Sequence, residues 1–551
     1  MEFQLILLGI LFVAMLIWYA VDGRRGEKKK IRMLQSQFGA VPRSDYRRAG
    51  RSRYWERWQQ AHPDPGLVDE QTWDDLEMED LFDRMDSCRS LIGQEYLYAL
   101  LHRRLDEQQQ RRQEELISAL EDEPFRLRAQ LELMRLGKRT GIDLSALIFE
   151  PEQFELEGER FLLLFALLPL VSLPLFFVFP AAASIMLLGS LTHNVWRYLK
   201  IQKKLEGRLE TISYQLAAFG LARRLEKLLA ERFPDRAAEL GQLASVSKQI
   251  GRSALLLSPS PQSDGYMLVQ LIGMLTLVPV LRYRGAVRTF CAAQQQTQEL
   301  FEQIGQLDAA QSILSYRHSL PVWSRPVFGE SLTIHATGLL HPLLTEADCV
   351  SNSAEIDCCW LLTGSNASGK STFIKAVALN AILAQNLGTC TAESFILCRA
   401  AVLTSMAARD DLSAGESYFV AEIKSMRRVV TLAGGPLPFY CFIDEVLKGT
   451  NTTERIAASC AVLQYLDRPG CLCMAATHDL ELTRLLGEQY ENRHFSEQVG
   501  QQGVTFDYKL KDGPCRTTNA IRLLGYYDFP PTLVEQARAY LGQRQAEMAQ
   551  R

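Results

Sequence analysis

Residues Gly364-Ser365-Asn366-Ala367-Ser368-Gly369-Lys370-Ser371-Thr372 combine side-chain types that suit one task. Glycines let backbone N–H groups wrap an anion, a lysine adds a positive charge, and a hydroxyl follows at a helix start. The spacing Gly-x-x-x-x-Gly-Lys-Ser is that of a loop that cradles nucleotide phosphates. In such a loop Lys370 sits on the β- and γ-phosphates and the Ser371 hydroxyl reaches Mg²⁺. The flanks agree: "CCWLL" reads as a buried strand and "STFIKAVALNAILAQNL" as a helix.

Downstream, "FYCFIDEVLKGTNTTER" (439–455) is an apolar strand that ends at Asp444-Glu445. Asp444 suits a Mg²⁺ ligand and Glu445 a general base that polarises the attacking water. "CLCMAATHDLEL" (471–482) repeats the design, with Thr477-His478 at the strand end. His478 there is either a sensor of the γ-phosphate or a structural histidine. In "DDLSAGESYFVAEI" (410–423), Ser413, Gly415 and Ser417 make a small-residue turn before an apolar helix. By itself that turn reads as a capped helix start.

These pieces need a scaffold. At 551 residues the chain is too long for one core, and two to four domains are expected. From about residue 326, short apolar runs alternate with helical ones, which predicts an α/β domain. Residues 74–148, 199–258 and 288–316 read as helices, and 265–281 as a buried core helix. Residues 24–57 hold twelve Lys and Arg against three acids, which leaves the rest of the chain near −13. The nucleotide-binding half is therefore no broadly basic nucleic-acid surface. The basic stretch could face anionic lipid, or duplex DNA through its charges and through Tyr46, Tyr54 and Trp55. The twelve cysteines show no metal spacing and read as reduced, structural thiols.

Two segments look apolar enough for a bilayer. Residues 3–21 carry no charge and are followed by basic residues, which predicts an uncleaved anchor with its N-terminus outside. Residues 161–196 lack Asp, Glu, Lys and Arg and are too long for one span, so two short spans meeting near Pro180 are expected. Together these predict a multi-pass protein of a bacterial inner membrane with the nucleotide site in the cytoplasm.

The four motifs, in this order, resemble the ATPase domain of the MutS mismatch-repair family. "TGSNASGKST" is similar to the family's TG-x-N-x-x-GKST, with Asn366 in the family-specific position. "DDLSAGESYFVAEI", "DEVLKGTNTTE" and "ATHDLELT" resemble its DDL-x-x-G-x-S-x-F-x-x-E, DE-x-x-RGTST-x-D and TH-x-x-ELT segments. "GLLHPLL" (338–344) is similar to the entry to the domain, and the likeness covers roughly 326–545. A weaker likeness at 76–102 looks like the start of the family's helical core. The resemblance implies an ABC-superfamily, MutS-type α/β P-loop ATPase behind an all-α core and lever that carries the transmembrane helices.

It also implies ATP and Mg²⁺ as cofactors and a homodimer with composite sites, in which Ser417 reaches the partner's γ-phosphate. Catalysis would fall to Glu445, Lys370 and His478, nucleotide binding to 364–372 and Ser417, and Mg²⁺ to Ser371 and Asp444. Departures fall at Lys448, Asn451 and Glu454-Arg455, where the family has Arg, Ser and Asp-Gly. About fifty residues lie between the expected anchor and the helical core and hold no mismatch-reading F-x-E element, so a standard mismatch reader is not expected. The resulting division is 1–22 anchor, 23–72 basic segment and linker, 73–160 helical core, 161–198 transmembrane hairpin, 199–325 lever, and 326–551 ATPase with dimerisation helices. A transporter-type ATPase would want LSGGQ where this chain has "LSAGES". An ATP-binding scaffold without turnover would not need Glu445 and His478.

Overall fold

The computed structural model describes residues 25–42, 50–64, 66–156, 161–205, 207–254, 271, 273–345, 347–365, 368–406, 418–447, 450–500, 503–515, 521, 524 and 529–549. The expected anchor at 3–21, Asn366, Ala367 and Ser417 lie outside these residues, as do 265–270 and Ile272 of the expected core helix 265–281. The chain forms two compact units. One comprises Met1–Pro63, Met85–Ala99 and Arg111–His318, the other Asp64–Arg84, Leu100–Gln110 and Ser319–Arg551.

The first unit is helical. Its helix Gln294–Ser319 is buried along most of its length. Asp308, fully buried, accepts hydrogen bonds from Arg89 N (2.9 Å), Ser90 N (2.8 Å) and Ser90 Oγ (2.6 Å). It thereby fixes, from a distant element, the two residues that lead into the helix Leu91–His102, and Ser90 Oγ in turn accepts from Gly93 N (3.0 Å) in the helix's first turn. The bonds favour the carboxylate, but burial is the larger effect and pushes the Asp308 carboxyl above its usual range.

The expected multi-pass placement in a membrane is overturned: among the described residues no helix is long and apolar enough to cross a membrane. Residues 161–196 do break near Pro180, into helices Leu162–Leu175 and Pro180–Leu205. The first has 14 residues, about 21 Å of rise against a hydrocarbon core of about 30 Å, and it carries Pro169 and Pro174. The second places His193, Asn194, Arg197 and Lys200 along its second half. An uncharged run counted across the break overstates what either helix offers. Neither helix is a buried hairpin, since Leu163, Leu170 and Val171 are exposed and Phe177 is 90% exposed.

The second unit is α/β. Its strands are β1 (Val327–Phe328), β2 (Ile334–Leu339), β3 (Asn352–Ile356), β4 (Trp360–Thr363), β5 (Ser394–Leu397), β6 (Ala401–Ser405), β7 (Phe439–Asp444), β8 (Cys471–Thr477), β9 (Glu491–His494), β10 (Glu497–Gly500), β11 (Gly503–Phe506) and β12 (Lys511–Asp512). The main sheet runs β12-β9-β4-β8-β7-β6 and is parallel except for the antiparallel edge β12. A smaller sheet runs β1-β5-β2-β3, and β10 and β11 form a hairpin. Strands β4, β6 and β8 are buried at every residue, as a parallel sheet covered on both faces requires. This is why their sequences read as unbroken apolar runs. The core between strands and helices includes Cys359, Cys441 and Cys473 beside Leu361, Leu403 and Ile443. All twelve cysteines are free thiols.

The β6 edge is covered by the helix Glu70–Asp75. The Asp75 carboxylate accepts from Thr404 Oγ1 (2.7 Å) and Met406 N (3.0 Å), which satisfies donors an open edge would expose. The parallel register then sets the site, because β4, β7 and β8 all end on the same side of the sheet.

Candidate functional site

Beyond β4 the chain turns through Gly364 and Gly369 into the helix Lys370–Leu387. Both glycines hold positive φ, +146° and +105°. A Cβ on Gly364 would lie 2.5 Å from the Phe495 carbonyl oxygen, and one on Gly369 would lie 3.1 Å from the Tyr508 ring. The loop is thus pressed against the chain that leads into and out of the β10–β11 hairpin, and only glycine fits at either place.

Lys370 is buried and donates from Nζ to the carbonyl oxygens of Gly364 and Ser365, each at 2.8 Å. Burial lowers its pKa, while Asp444 and Glu445 act in the other direction. Ser365 Oγ donates to Glu497 Oε2 at 2.5 Å, a link from the loop to the first residue of the hairpin. Ser368 Oγ is buried without a hydrogen-bond partner, in a residue only 1% exposed. An orphaned hydroxyl beside a buried ammonium and a helix N-terminus fits a phosphate-bearing ligand.

Strand β7 ends at Asp444, level with Ala476 of β8. Glu445 follows with φ +60°, a region few residues other than glycine adopt, and its N–H donates to the Ala476 carbonyl at 3.0 Å. That turn directs its carboxylate to His478, just beyond β8, with Nε2 and Oε1 2.8 Å apart. Of the predicted residues, Ser365, Ser368–Thr372, Glu445 and His478 line one cavity of about 800 Å³.

The other wall was not foreseen. Cys349, Val350, Asn352, Phe506 and Tyr508 line it, with His341 from the segment after β2. Phe506 and Tyr508 stack with ring centroids 5.7 Å apart. Asn352 holds Tyr508 in place: its Nδ2 donates to Tyr508 O (3.0 Å) and its Oδ1 accepts from Leu510 N (2.8 Å). The left-handed φ of +50° at Tyr508 depends on that clamp. His341 Nδ1 accepts from Leu343 N at 3.2 Å, and burial pushes its imidazole down to about 4, so it faces the cavity neutral. Only "GLLHPLL" carried a sequence signal for this wall.

Residues 360–545 match the family model described as MutS domain V. Three relatives are all described as DNA mismatch repair protein MutS. That of Natronomonas pharaonis is 30% identical over 275 residues, 47% of this chain and 31% of the relative. That of Thermus thermophilus is 32% identical over 236 residues, 42% of this chain and 28% of the relative. That of Thermotoga maritima is 30% identical over 247 residues, 43% of this chain and 31% of the relative. The chain thus spans less than a third of the length of the relatives it matches.

Proposed function

We propose that the chain, whose residues 360–545 match MutS domain V, is a MutS-type ATPase with duplex DNA as its effector. The observation that carries the ATPase reading is the meeting of Lys370, Ser368, Glu445 and His478 around one cavity. A scaffold that only held ATP would have no use for a carboxylate held by backbone strain against a histidine.

In this reading Lys370 exchanges its two loop carbonyls for oxygens of the β- and γ-phosphates, and Ser368 Oγ finds its acceptor there. The first N–H groups of the helix Lys370–Leu387 complete the cradle. Phe506 and Tyr508 offer a π-face to the base and His341 a neutral N–H. Glu445 orients a water and takes its proton, and His478 steadies the carboxylate and reads the terminal phosphate. Ser371 and Asp444 would hold Mg²⁺, which when bound neutralises phosphate charge. Ser417 of a second copy would complete each site.

The test is Glu445→Gln in the full-length chain, with steady-state phosphate release and equilibrium ATP binding measured side by side. Binding within a few-fold of wild type, with turnover down by about a hundredfold or more, is the expected result. Turnover that survives the change removes Glu445 as the base. The DNA half is read by adding matched or mismatched duplex to wild type, and turnover unchanged by either duplex rejects DNA as the effector.

A further inference from the structure

The helix Thr452–Leu466 begins seven residues after Glu445. Its start is fixed by the Asn451 side chain, which accepts from Glu454 N at 3.0 Å. Two residues one turn apart on its face then reach back toward the catalytic turn. Ser459 Oγ donates to the carbonyl of Val446, the residue after Glu445, at 3.2 Å. Arg455 donates through Nε and Nη2 to the two oxygens of Asp479, the residue after His478, at 2.8 and 2.6 Å. The side chains of Arg455 and Asp479 are 23% and 13% exposed, so the pair is sheltered and held at two points. Asp479 is itself fixed, since its N–H donates to Thr477 Oγ1 at 3.0 Å.

One helix face therefore grips the neighbour of Glu445 with one residue and the neighbour of His478 with the other. We propose that Arg455 is a positioning residue for ATP hydrolysis: its fork on Asp479 sets His478 against Glu445. This rests on the ATPase reading above and deepens it. Neither Arg455 nor Asp479 lines the cavity proposed for the nucleotide. Their effect has to pass through the 2.8 Å contact between His478 and Glu445. Arginine is suited to the task and lysine is not, because only a planar fork fixes both carboxylate oxygens at once.

The experiment uses the full-length protein and the variants Arg455→Ala, Arg455→Lys and Asp479→Asn, with Lys370→Ala as control. For each, kcat and KM for ATP and the melting temperature are measured. A displaced base costs turnover far more than binding, so Arg455→Ala should lower kcat by about tenfold to a hundredfold with KM within about twofold. Asp479→Asn should reproduce that split, and Arg455→Lys should fall between wild type and Arg455→Ala. A kcat within about twofold of wild type in Arg455→Ala or in Asp479→Asn, beside turnover that needs Lys370, overturns this inference and leaves the ATPase reading standing. Should Arg455→Ala fail to fold, Asp479→Asn decides alone. Wild-type turnover that does not need Lys370 overturns both.

Discussion

Lys370 is a charge kept where little water reaches it, and two carbonyl oxygens of its own loop hold it in place. Without the ammonium, the loop loses the buried positive charge that would answer a triphosphate. Lys370→Ala should therefore lose ATP turnover by at least about a hundredfold, and ATP binding with it. A fluorescent nucleotide titration beside phosphate release checks this, and intact binding would place the phosphates elsewhere. A second prediction concerns a buried histidine away from the site. His102 stacks on Trp73 with ring centroids 3.9 Å apart and shares its Nδ1 with the Val68 carbonyl at 2.9 Å. Burial pushes its imidazole down to about 3. Below the ordinary histidine value near 6.5, the unfolded chain binds a proton that the folded chain refuses until about pH 3. This residue therefore removes stability as pH falls through that window, by about 1.4 kcal/mol per pH unit. Urea unfolding at pH 6.5 and pH 5 should show wild type losing roughly 1–2 kcal/mol more than His102→Gln. Equal losses would mean that the ring already carries its proton in the fold.

The elements that carry the site differ in how openly the sequence announces them. The strand–loop–helix around Lys370 and the strand ends at Asp444 and Thr477 were legible, because the chemistry proposed for them dictates residue identity there. The wall made by Asn352, Phe506 and Tyr508 was not, because an asparagine and two aromatics join a site only through strand pairing and a left-handed turn. The apolar run at 161–196 misled for a related reason. Composition registers apolar residues, but span length depends on where helices end, and the first ends at Leu175. The β10–β11 hairpin offers a test at this scale. Asn352→Ala removes that side chain's two bonds to the Tyr508–Leu510 backbone and leaves Glu445 and His478 alone. The ATP KM should rise several-fold with kcat within about twofold, and stability should fall by about 1–2 kcal/mol. A kcat effect without a KM effect would contradict the hairpin's place on the binding side of the cavity.

At the scale of the whole molecule, the α/β unit supplies Lys370, Glu445 and His478 from one chain, while the proposed partner to the γ-phosphate is Ser417 of a second copy. A composite site makes a prediction that no single-chain site shares. Lys370→Ala spoils the site whose loop it belongs to, whereas Ser417→Ala spoils the site across the interface. In a mixed dimer of the two variants both lesions fall on the same site, and the other site has an intact loop and an intact serine. Random mixing places half of the dimers in the mixed form with one good site of two, so turnover should return to about a quarter of wild type from two nearly inactive parents. Subunits have to exchange for this to be read, so the two chains are co-expressed with different tags and the doubly tagged species is assayed alone, where about half of wild-type turnover is expected. If the doubly tagged dimer forms and stays inactive, Ser417 does not act across the interface. If no doubly tagged species forms, the two copies do not pair, and the composite-site proposal falls with them.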